Sequence, residues 1–588
     1  MKSNQIKLSL IGLIVVLIFS YFSIRALFIP GFFPMHDDTQ VVRVWQMAKA
    51  LSDGLFPVRW VSDLGYGYGY PIFNFYAPFA YYFGALFTLI GFDVLFSTKL
   101  MMGVGFIFAG VSMYFLAKEF FGIKAAIISS LLYIYAPYHA VNLYVRGAVS
   151  EFWAYGFFPL FLLSLYKIFN QILTHSSNTN KQIFTRNYII WSMLSALTFS
   201  LIIISHNLSA FILLLYLGSF LIIVCGIFKT KSKMLEIRYL IFPVLLGILL
   251  ASFYWLPAIL ELNYTNISSQ LDGNFEYNLH FIAPNQLWES QWGFGGSIEG
   301  DIDGMSFRIG KVHLLLSFIA IILLPFLWHT YFKQSRAIML LIIFFLLSVL
   351  FTTNLSKAIW DFVPVMKYIQ FPWRFLSFVA FFSSLLGGAG VWGAIVVFQN
   401  KIPRSISFVT IGIIIFGVVL FYDGLFIPRT IYGYSANDFI NEQNVKWTVS
   451  KISDEYMPKY FIKPINQSDI VKNKIVVLNG DFEELVVDKQ TTKQFIFRTD
   501  SNTETDILIR TAPFPSWRLS INGKQTNYLS TNKGIELNIN PGKNVVVMNF
   551  EPTTVQIIGN SLTLLSLALL IIGIIRYVSL VKKGSKLN

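Results

Sequence analysis

Two adjacent acids and a histidine follow the first apolar stretch of the chain. Residues 35–40 read Met-His-Asp-Asp-Thr-Gln and come directly after the hydrophobic segment 8–29. A carboxylate can accept a proton from a reacting hydroxyl, and an imidazole can hold a phosphate or a metal. Lys2 and Lys7 precede the apolar segment without any acid, which favours a cytoplasmic N-terminus. The acids are therefore predicted to face the outer side of a membrane.

Two interpretations of these acids remain open. From Thr39 onward, apolar residues recur at three- and four-residue spacing and predict a short helix, for which Asp38 or Thr39 would be the N-cap. Capping explains one acid and leaves the carboxylate of Asp37 beside His36. The functional interpretation makes Asp37 and Asp38 catalytic and assigns His36 to contact with an acceptor. The same three residues are candidate ligands of a divalent cation, Mg²⁺ or Mn²⁺.

Composition predicts a polytopic membrane protein. The chain has 588 residues, of which 55% are hydrophobic and 13% charged, and its mean hydropathy is +0.60. Its formal charge of +14 comes mostly from basic residues in short loops between apolar runs, which indicates membrane topology and no nucleic-acid partner. Cys225 is the only cysteine, so no intramolecular disulfide is expected.

The apolar runs predict about twelve transmembrane helices within a core at 1–428, and a last helix and basic tail at 554–588. The predicted spans are 8–29, 100–117, 123–138, 152–169, 188–205, 208–228, 238–257, 311–330, 337–352, 375–398, 405–427 and 556–579. Residues 76–90 are short for a span and are predicted to lie in the outer interface. With this arrangement the basic loops fall on one side, which predicts cytoplasmic termini in the cytoplasmic membrane.

The predicted outer loops 30–99, 139–151, 258–310 and 353–374 carry the other chemically interesting residues. Arg146 and Glu151 are either a structural ion pair or a site, and His206 is either a buried histidine or a phosphate contact. Arg374 either extends to lipid phosphates or binds a donor phosphate through its planar fork. Acceptor or headgroup contacts are predicted for a set of aromatic and acidic residues. These are Tyr68, Tyr70, Trp288, Trp292 and Glu151, with an aromatic belt as the alternative for the two tyrosines.

Residues 429–553 predict a β-rich outer domain before the last helix. Segments 495–497, 507–509, 517–521 and 545–548 have the composition of strands, and Asn522-Gly523 is typical of a tight hairpin. Because it shows no metal-ligand cluster, nucleophile motif or phosphate loop, binding or shielding is expected there.

Several short motifs resemble a family of bacterial membrane proteins described as related to 6-pyruvoyl-tetrahydropterin synthase. They are His36-Asp37, Arg59-Trp60, Gly67-Tyr68-Gly69-Tyr70-Pro71, Tyr144-Val145-Arg146-Gly147, Phe371-Pro372-Trp373-Arg374-Phe375 and Pro515-Ser516-Trp517. The layout is similar to that of the C-type glycosyltransferases, which have many spans, an acid in the first outer loop and often a soluble outer domain. The resemblance covers nearly the whole chain.

The resemblance implies an inverting glycosyltransferase that uses a polyprenyl-phosphate-linked sugar and an acceptor in the cell envelope, either a glycan, a lipid or a protein. It implies that Asp37 is the first-loop acid and that Arg374 contacts the donor phosphate. Arg146 and His206 are inferred from their side of the membrane and their charge. Some relatives bind a metal through two separated acids, and here the acids are adjacent, so metal use stays open. The alternatives are a transporter or flippase of lipid-linked saccharides and a non-catalytic scaffold that binds the cell envelope.

Overall fold

The computed structural model describes residues 2–175, 185–227, 237–267, 276–399 and 403–585. Five lysines of the basic loops that are predicted to face the cytoplasm lie outside the described residues, namely Lys181, Lys229, Lys231, Lys233 and Lys401. The long helices are α1 (Lys2–Ile24), α2 (Gln40–Ser52), α4 (Phe79–Leu89), α5 (Val94–Ile134), α7 (Val149–His175), α8 (Arg186–Ser205), α9 (Asn207–Ile227), α10 (Arg238–Leu250), α11 (Ser252–Leu260), α13 (Lys311–Leu327), α14 (Phe332–Thr352), α16 (Leu376–Phe398), α17 (Arg404–Tyr422) and α20 (Thr554–Ser585). The short helices are α3 (Ile72–Phe75), α6 (Pro137–Ala140), α12 (Pro284–Trp288), α15 (Lys357–Phe362), α18 (Ala436–Ile440) and α19 (Ser450–Ile452).

The helices confirm a multi-pass membrane protein. Among the described residues, eight helices are long and apolar enough to span a bilayer, or nine when α10 and α11, bent by 70° at their junction, are taken as one. Helices α4, α13 and part of α9 are apolar but shorter. The predicted span 100–117 and most of the predicted span 123–138 lie in the single 41-residue helix α5, which ends at Ile134 and is broken at Gly122 with φ +78°. The count of twelve therefore stays a prediction.

Helix α16 packs closely between α5 and α13 because glycines line its contact faces. A Cβ atom at Gly390 would lie 2.2 Å from the carbonyl oxygen of Leu316, and one at Gly388 would lie 1.9 Å from the hydroxyl of Ser129. Small residues at such crossings let helix backbones approach, which is how helices associate where lipid removes the hydrophobic drive. This close packing fixes the position of the segment that precedes α16.

The predicted β-rich domain is confirmed, and it consists of two antiparallel sheets. The strands are β1 (Ile475–Asn479), β2 (Glu484–Gln490), β3 (Gln494–Asp500), β4 (Thr505–Ile509), β5 (Trp517–Ile521), β6 (Lys524–Gln525), β7 (Leu529–Thr531), β8 (Gly534–Ile539) and β9 (Asn544–Phe550). One sheet has the order β1-β4-β8-β7 and the other β2-β3-β9-β5-β6. All four predicted strand segments are confirmed. Asn522 and Gly523, both with positive φ, form the predicted two-residue turn between β5 and β6.

The glycine- and tyrosine-rich loop joins the membrane core to the outer domain. Tyr66 donates from its hydroxyl to Asp454 at 2.8 Å, and the amide of Ala512 donates to the carbonyl of Tyr68 at 3.0 Å. Tyr68 is 8% exposed and Tyr70 is fully buried. The prediction that Tyr68 and Tyr70 face an acceptor or form an interfacial belt is therefore wrong, because the outer domain covers both rings.

A buried carboxylate makes a second joint between the first outer loop, α11 and α20. Glu261, at the end of α11, accepts hydrogen bonds from Asn74 at 2.8 Å and from Gln556 at 3.0 Å, and also from the hydroxyl of Thr553. Nearby, Arg59 donates to Asn560 at 2.9 Å. The last helix is thus held to the first outer loop by polar contacts.

We expect cysteines at Ile302 and Lys524, placed in a Cys225→Ser background, to react with a membrane-impermeant maleimide on intact spheroplasts. Cysteines at Lys333 and Arg336 should react only after permeabilisation. All four positions are exposed. The positive charge of the loops on the opposite side predicts that Ile302 and Lys524 lie outside the cell. Labelling of Lys333→Cys but not Ile302→Cys on intact spheroplasts would reverse the predicted orientation.

Candidate functional site

A cavity of about 570 Å³ lies where the outer loops and the outer domain meet the helix ends. Its walls come from residues 36–37, 75–77, 146–151, 206–208, 370–374 and 455–456, with further residues from α11 and the 258–310 loop. The cavity brings together six residues predicted as site residues from the sequence. They are His36, Asp37, Arg146, Glu151, His206 and Arg374.

Main-chain pairing holds Asp37 at the cavity. The amide of Asp37 donates to the carbonyl of Arg146 at 2.9 Å, and the amide of His36 donates to that of Val145 at 3.0 Å. Gln40 adds a side-chain hydrogen bond to the carbonyl of Gly147 at 2.8 Å. Among the described residues, no hydrogen bond reaches the side-chain oxygens of Asp37. Its backbone is thus fixed while its carboxylate remains available to a ligand.

Gly147 permits this close approach of the two segments. Its φ is +68°, and a Cβ atom there would lie 2.2 Å from the sulfur of Met35. Both the left-handed backbone and the contact exclude a larger residue. The motif at 144–147 therefore has a structural reason for its glycine.

The structure separates the two adjacent acids. Helix α2 begins at Gln40, and Thr39 occupies the N-cap position with φ −120° and ψ −6°, away from the extended conformation in which side chains cap. Thr39 is thus the N-cap, one of the two residues predicted for that position, but its side chain makes no capping hydrogen bond. Asp38 is absent from the cavity lining, and its catalytic role stays a prediction. Burial raises the pKa of Asp38 to about 6.

Arg146 and Glu151 form a buried ion pair at 2.9 Å. Arg146 also donates to Tyr138 at 3.1 Å and to Asn142 at 2.5 Å, and its guanidinium lies 4.4 Å from the ring centre of Trp373. These contacts, with Glu151 and Tyr138 close by, keep the pKa of Arg146 well above its ordinary value despite its burial. The structural ion pair considered from the sequence is present, and a phosphate contact by Arg146 stays a prediction.

Glu151 reaches a third element of the cavity. Its carboxylate accepts hydrogen bonds from the hydroxyls of Tyr138 and Ser377, both at 2.8 Å. Ser377 lies in the first turn of α16, directly after the segment that carries Arg374. Both oxygens of Glu151 therefore already have partners. A contact between Glu151 and an acceptor stays a prediction.

Arg374 is held from one side only. It donates to the carbonyl of Ile369 and to the side chain of Gln370 at 3.1 Å, and its guanidinium lies 5.0 Å from the ring centre of Phe371. In the described part of the chain, its buried Nε has no hydrogen-bond partner. In the same part of the chain, no carboxylate lies within salt-bridge distance of Arg374. The positive charge of Arg374 is therefore available to an anion in the cavity.

His206 lines the cavity between α8 and α9 as a neutral imidazole. Its Nδ1 lies 2.8 Å from the hydroxyl of Ser209 and accepts from the amide of Ser209 at 3.2 Å, so it caps the start of α9. Burial lowers the pKa of His206 to about 3, and Arg374 and Arg146 oppose its protonation while Glu151 favours it.

Three buried donors in cavity-lining residues lack hydrogen-bond partners within the described ranges. They are the hydroxyl of Ser150, the indole N–H of Trp373 and Nε of Arg374. Buried donors without partners are costly, so such a concentration indicates a place for an oxygen-rich ligand. The N-terminal ends of α7, α9 and α16 adjoin the same cavity and favour negative charge there.

Sequence reasoning missed the outer-domain wall of the cavity. Glu455 and Tyr456 line it, and burial raises the pKa of Glu455, while nearby Arg43 lowers it. Arg43 is buried in α2, donates to Ser453 at 2.7 Å and lies 4.4 Å from the ring centre of Tyr76, another lining residue.

The 258–310 loop contributes through its backbone. Nε2 of His36 donates to the carbonyl of Phe294 at 3.0 Å, which places that loop beside the cavity. Trp288 and Trp292 do not line the cavity, and their rings lie near Lys311 and Arg308 at 5.6 and 5.8 Å. A contact of either tryptophan with an acceptor stays a prediction.

The residues present do not fit the divalent cation considered from the sequence. Within the described residues, no three His, Cys, Asp or Glu side chains are grouped as a metal would require. Asp38 lies outside the cavity lining, and His36 already donates to a carbonyl. No chemical step is assigned to a metal here.

A family model matches residues 73–298. Its description is "6-pyruvoyl-tetrahydropterin synthase related domain; membrane protein". The predicted family resemblance is confirmed over this segment. The matched segment contains Arg146, Glu151 and His206 of the cavity. No curated protein matches the chain.

The chain is similar at low identity to several solved structures, of which three follow. The apo oligosaccharyltransferase of Archaeoglobus fulgidus is 13% identical over 79% of this chain and 61% of its own, with a TM-score of 0.46. Arabinofuranosyltransferase AftD from Mycobacteria is 12% identical over 74% of this chain and 28% of its own, with a TM-score of 0.38. ArnT from Cupriavidus metallidurans bound to undecaprenyl phosphate is 12% identical over 71% of this chain and 70% of its own, with a TM-score of 0.33. The present chain thus spans about three fifths of the oligosaccharyltransferase.

We expect Arg146→Met to lower the stability of the detergent-solubilised protein by about 3–5 kcal/mol, because it leaves Glu151 buried without its cation. The double variant Arg146→Met with Glu151→Gln should recover a substantial part of the loss. Lys357→Met, which breaks the exposed pair with Asp361, is the control and should change stability by less than about 0.5 kcal/mol. Thermal unfolding followed by intrinsic fluorescence measures all three. Additive losses in the double variant would contradict a coupled pair.

Proposed function

We propose that the protein is a membrane glycosyltransferase that moves a sugar from a polyprenyl-phosphate donor to a cell-envelope acceptor, with inversion, on the outer face of the cytoplasmic membrane. One observation carries the proposal. The same cavity contains the carboxylate of Asp37, free of hydrogen bonds within the described residues, and the guanidinium of Arg374, whose Nε lacks a partner there. A base and an anion site are what glycosyl transfer from a phosphate requires.

The anion side of the cavity fits the phosphate of the donor. Arg374 supplies a planar guanidinium, and Ser150 and Trp373 supply two further donors without partners in the described chain. The N-terminal ends of α7 and α16 add partial positive charge. As the sugar departs from the phosphate, negative charge grows on the leaving oxygen, and prearranged donors stabilise that charge more than they stabilise the donor itself.

Asp37 is the proposed general base. An acceptor hydroxyl attacks the anomeric carbon from the face opposite the phosphate, and its proton passes to the Asp37 carboxylate. The new oxygen–carbon bond forms as the carbon–oxygen bond to phosphate breaks, and polyprenyl phosphate leaves with the electron pair. Attack from the opposite face inverts the anomeric configuration. The available carboxylate and its fixed backbone suit this role.

The lipid-linked donor fits the position of the cavity. The lining residues lie at the ends of apolar helices, where the phosphate of a membrane lipid can meet a polar site while its chain stays in the bilayer. A lipid phosphate leaving group needs no nucleotide-binding fold, and the sheets in the described part of the chain are antiparallel. Glu455 and Tyr456 of the outer domain also line the cavity, and we assign them to the part that receives the acceptor.

We expect Asp37→Asn to reduce transfer from a polyprenyl-phosphate sugar by roughly a hundredfold or more, the scale for loss of a positioned base. Release of polyprenyl phosphate by the purified protein measures this. Thermal stability should stay near that of the wild type, because the contacts that hold residue 37 are made by its backbone.

The matched control for this variant is Asp38→Asn, which alters the neighbouring acid outside the cavity. Its activity should remain within a few-fold of the wild type. Because burial raises the pKa of Asp38 to about 6, folding disfavours its charged form, so stability gained by Asp38→Asn should appear at pH 7 and vanish near pH 4. A stable, fully active Asp37→Asn protein would remove the proposed base.

We expect Arg374→Lys to raise the KM for the lipid donor by about tenfold, because an ammonium cannot make the two-pronged contact of a guanidinium. Arg336→Lys, a change at an exposed arginine on the predicted opposite side, is the control and should leave KM unchanged. Initial rates at varied donor concentration provide the measurement. An unchanged KM in Arg374→Lys would assign Arg374 to a structural role.

A further inference from the structure

A second cavity, of about 380 Å³, lies where the first outer loop meets the open edge of the outer domain. Its lining comes from residues 62–67, from 471–475 and from β2, and it shares no lining residue with the first cavity. Strands β1 and β2 are each at the edge of a sheet. Edge strands present backbone N–H and carbonyl groups that have no strand partner, so this cavity offers hydrogen bonds as well as side chains.

Positive charge exceeds negative charge around this cavity. Lys446, Lys472 and Lys474 line it together with one acid, Asp63. The Asp63 carboxylate is already paired with Lys49 at 2.6 Å. Lys446 pairs with Glu442 at 2.6 Å, and no acid in the described ranges lies within ion-pair distance of the other two lysines. About two positive charges are therefore uncompensated at one concave surface.

Lys474 is held in place without being neutralised. Its ammonium donates to the carbonyls of Gly67 at 2.7 Å and Arg510 at 3.3 Å. Burial lowers the pKa of Lys474 to about 8, and the nearby Lys446 and Lys49 lower it while Asp63 raises it. A bound anion would offset the repulsion among these lysines.

The remaining lining is suited to a sugar. Leu485 and Val487 on β2 are 40% and 49% exposed, and Gln490 follows on the same strand. Apolar side chains pack against the C–H faces of a sugar ring, while amide and backbone groups bind its hydroxyls. Apolar surface, hydrogen-bonding groups and excess positive charge thus occur together in this cavity.

We propose that this cavity binds an anionic saccharide, with its carboxylate or phosphate group against Lys472 and Lys474 and a sugar ring against Leu485 and Val487. The ligand class is a segment of an acidic glycan outside the membrane. The proposal does not rest on the transfer reaction, since the two cavities share no lining residue.

Binding is tested with the full-length protein in phosphatidylcholine nanodiscs, which provide no anionic lipid. The probes are trigalacturonate, the neutral trisaccharide obtained by reducing its carboxyl groups, and inorganic phosphate. We expect trigalacturonate to bind about tenfold more tightly than either of the other two, with an affinity that falls as salt is raised. Isothermal titration calorimetry measures the affinities.

Lys472→Glu should weaken binding of trigalacturonate by about tenfold or more, because it reverses an exposed charge in the cavity. Lys533→Glu makes the same change on the exposed β7–β8 turn and should leave binding unchanged. Lys472→Gln provides a milder variant if the reversal lowers the unfolding temperature, and it should weaken binding less.

Three outcomes would overturn the proposal. They are equal binding of the neutral trisaccharide, binding of phosphate as tight as that of trigalacturonate, and unchanged binding in both Lys472 variants. Asp37→Asn should bind trigalacturonate like the wild type. A failure of transfer with intact saccharide binding, or the reverse, therefore separates this site from the proposed reaction.

Discussion

The buried ion pair between Arg146 and Glu151 is the contact on which the first cavity depends. The carbonyl of Arg146 holds the amide of Asp37, and its guanidinium lies over the ring of Trp373. Glu151 accepts from Ser377 at the start of α16. One pair therefore fixes the first outer loop, α7 and α16 relative to each other. Because either charge alone would be costly in so buried a place, the arrangement tolerates little displacement.

The outer domain is part of the cavity and not an appendage to it. Arg43 in α2 binds Ser453, and the adjacent residues Glu455 and Tyr456 form one wall. The glycine- and tyrosine-rich loop is buried beneath the same domain. This architecture lets a segment about 420 residues distant in sequence meet the acid of the first loop, and it gives the domain a part in two cavities that differ in charge. The outer domain forms a wall of the first cavity, which contains charges of both signs. At its sheet edges the same domain lines the second cavity, which is mainly basic.

Polar groups concentrate at the helix ends because the membrane leaves few other places for them. Apolar residues fill the interiors of the spans, where small residues such as Gly390 allow close packing. Three charged residues of the cavity, Arg146, Glu151 and Arg374, lie before α7 and α16 or in their first turns. A site built this way has access to lipid on one side and to the aqueous phase on the other, as the proposed lipid-linked donor and cell-envelope acceptor would require.

The sequence by itself determined the class of fold, the strands and hairpin of the outer domain, and six of the residues that line the cavity. Hydropathy and strand alternation are local properties, so the helices and Asn522-Gly523 could be predicted, and charge beside an apolar run singled out Asp37 and Arg374. Only the tertiary structure separated Asp37 from Asp38, buried Tyr70, and added Glu455 to the cavity. Those outcomes depend on which distant segments pack together, since a one-residue difference along a turn decides whether a carboxylate meets a cavity, and no local pattern records that.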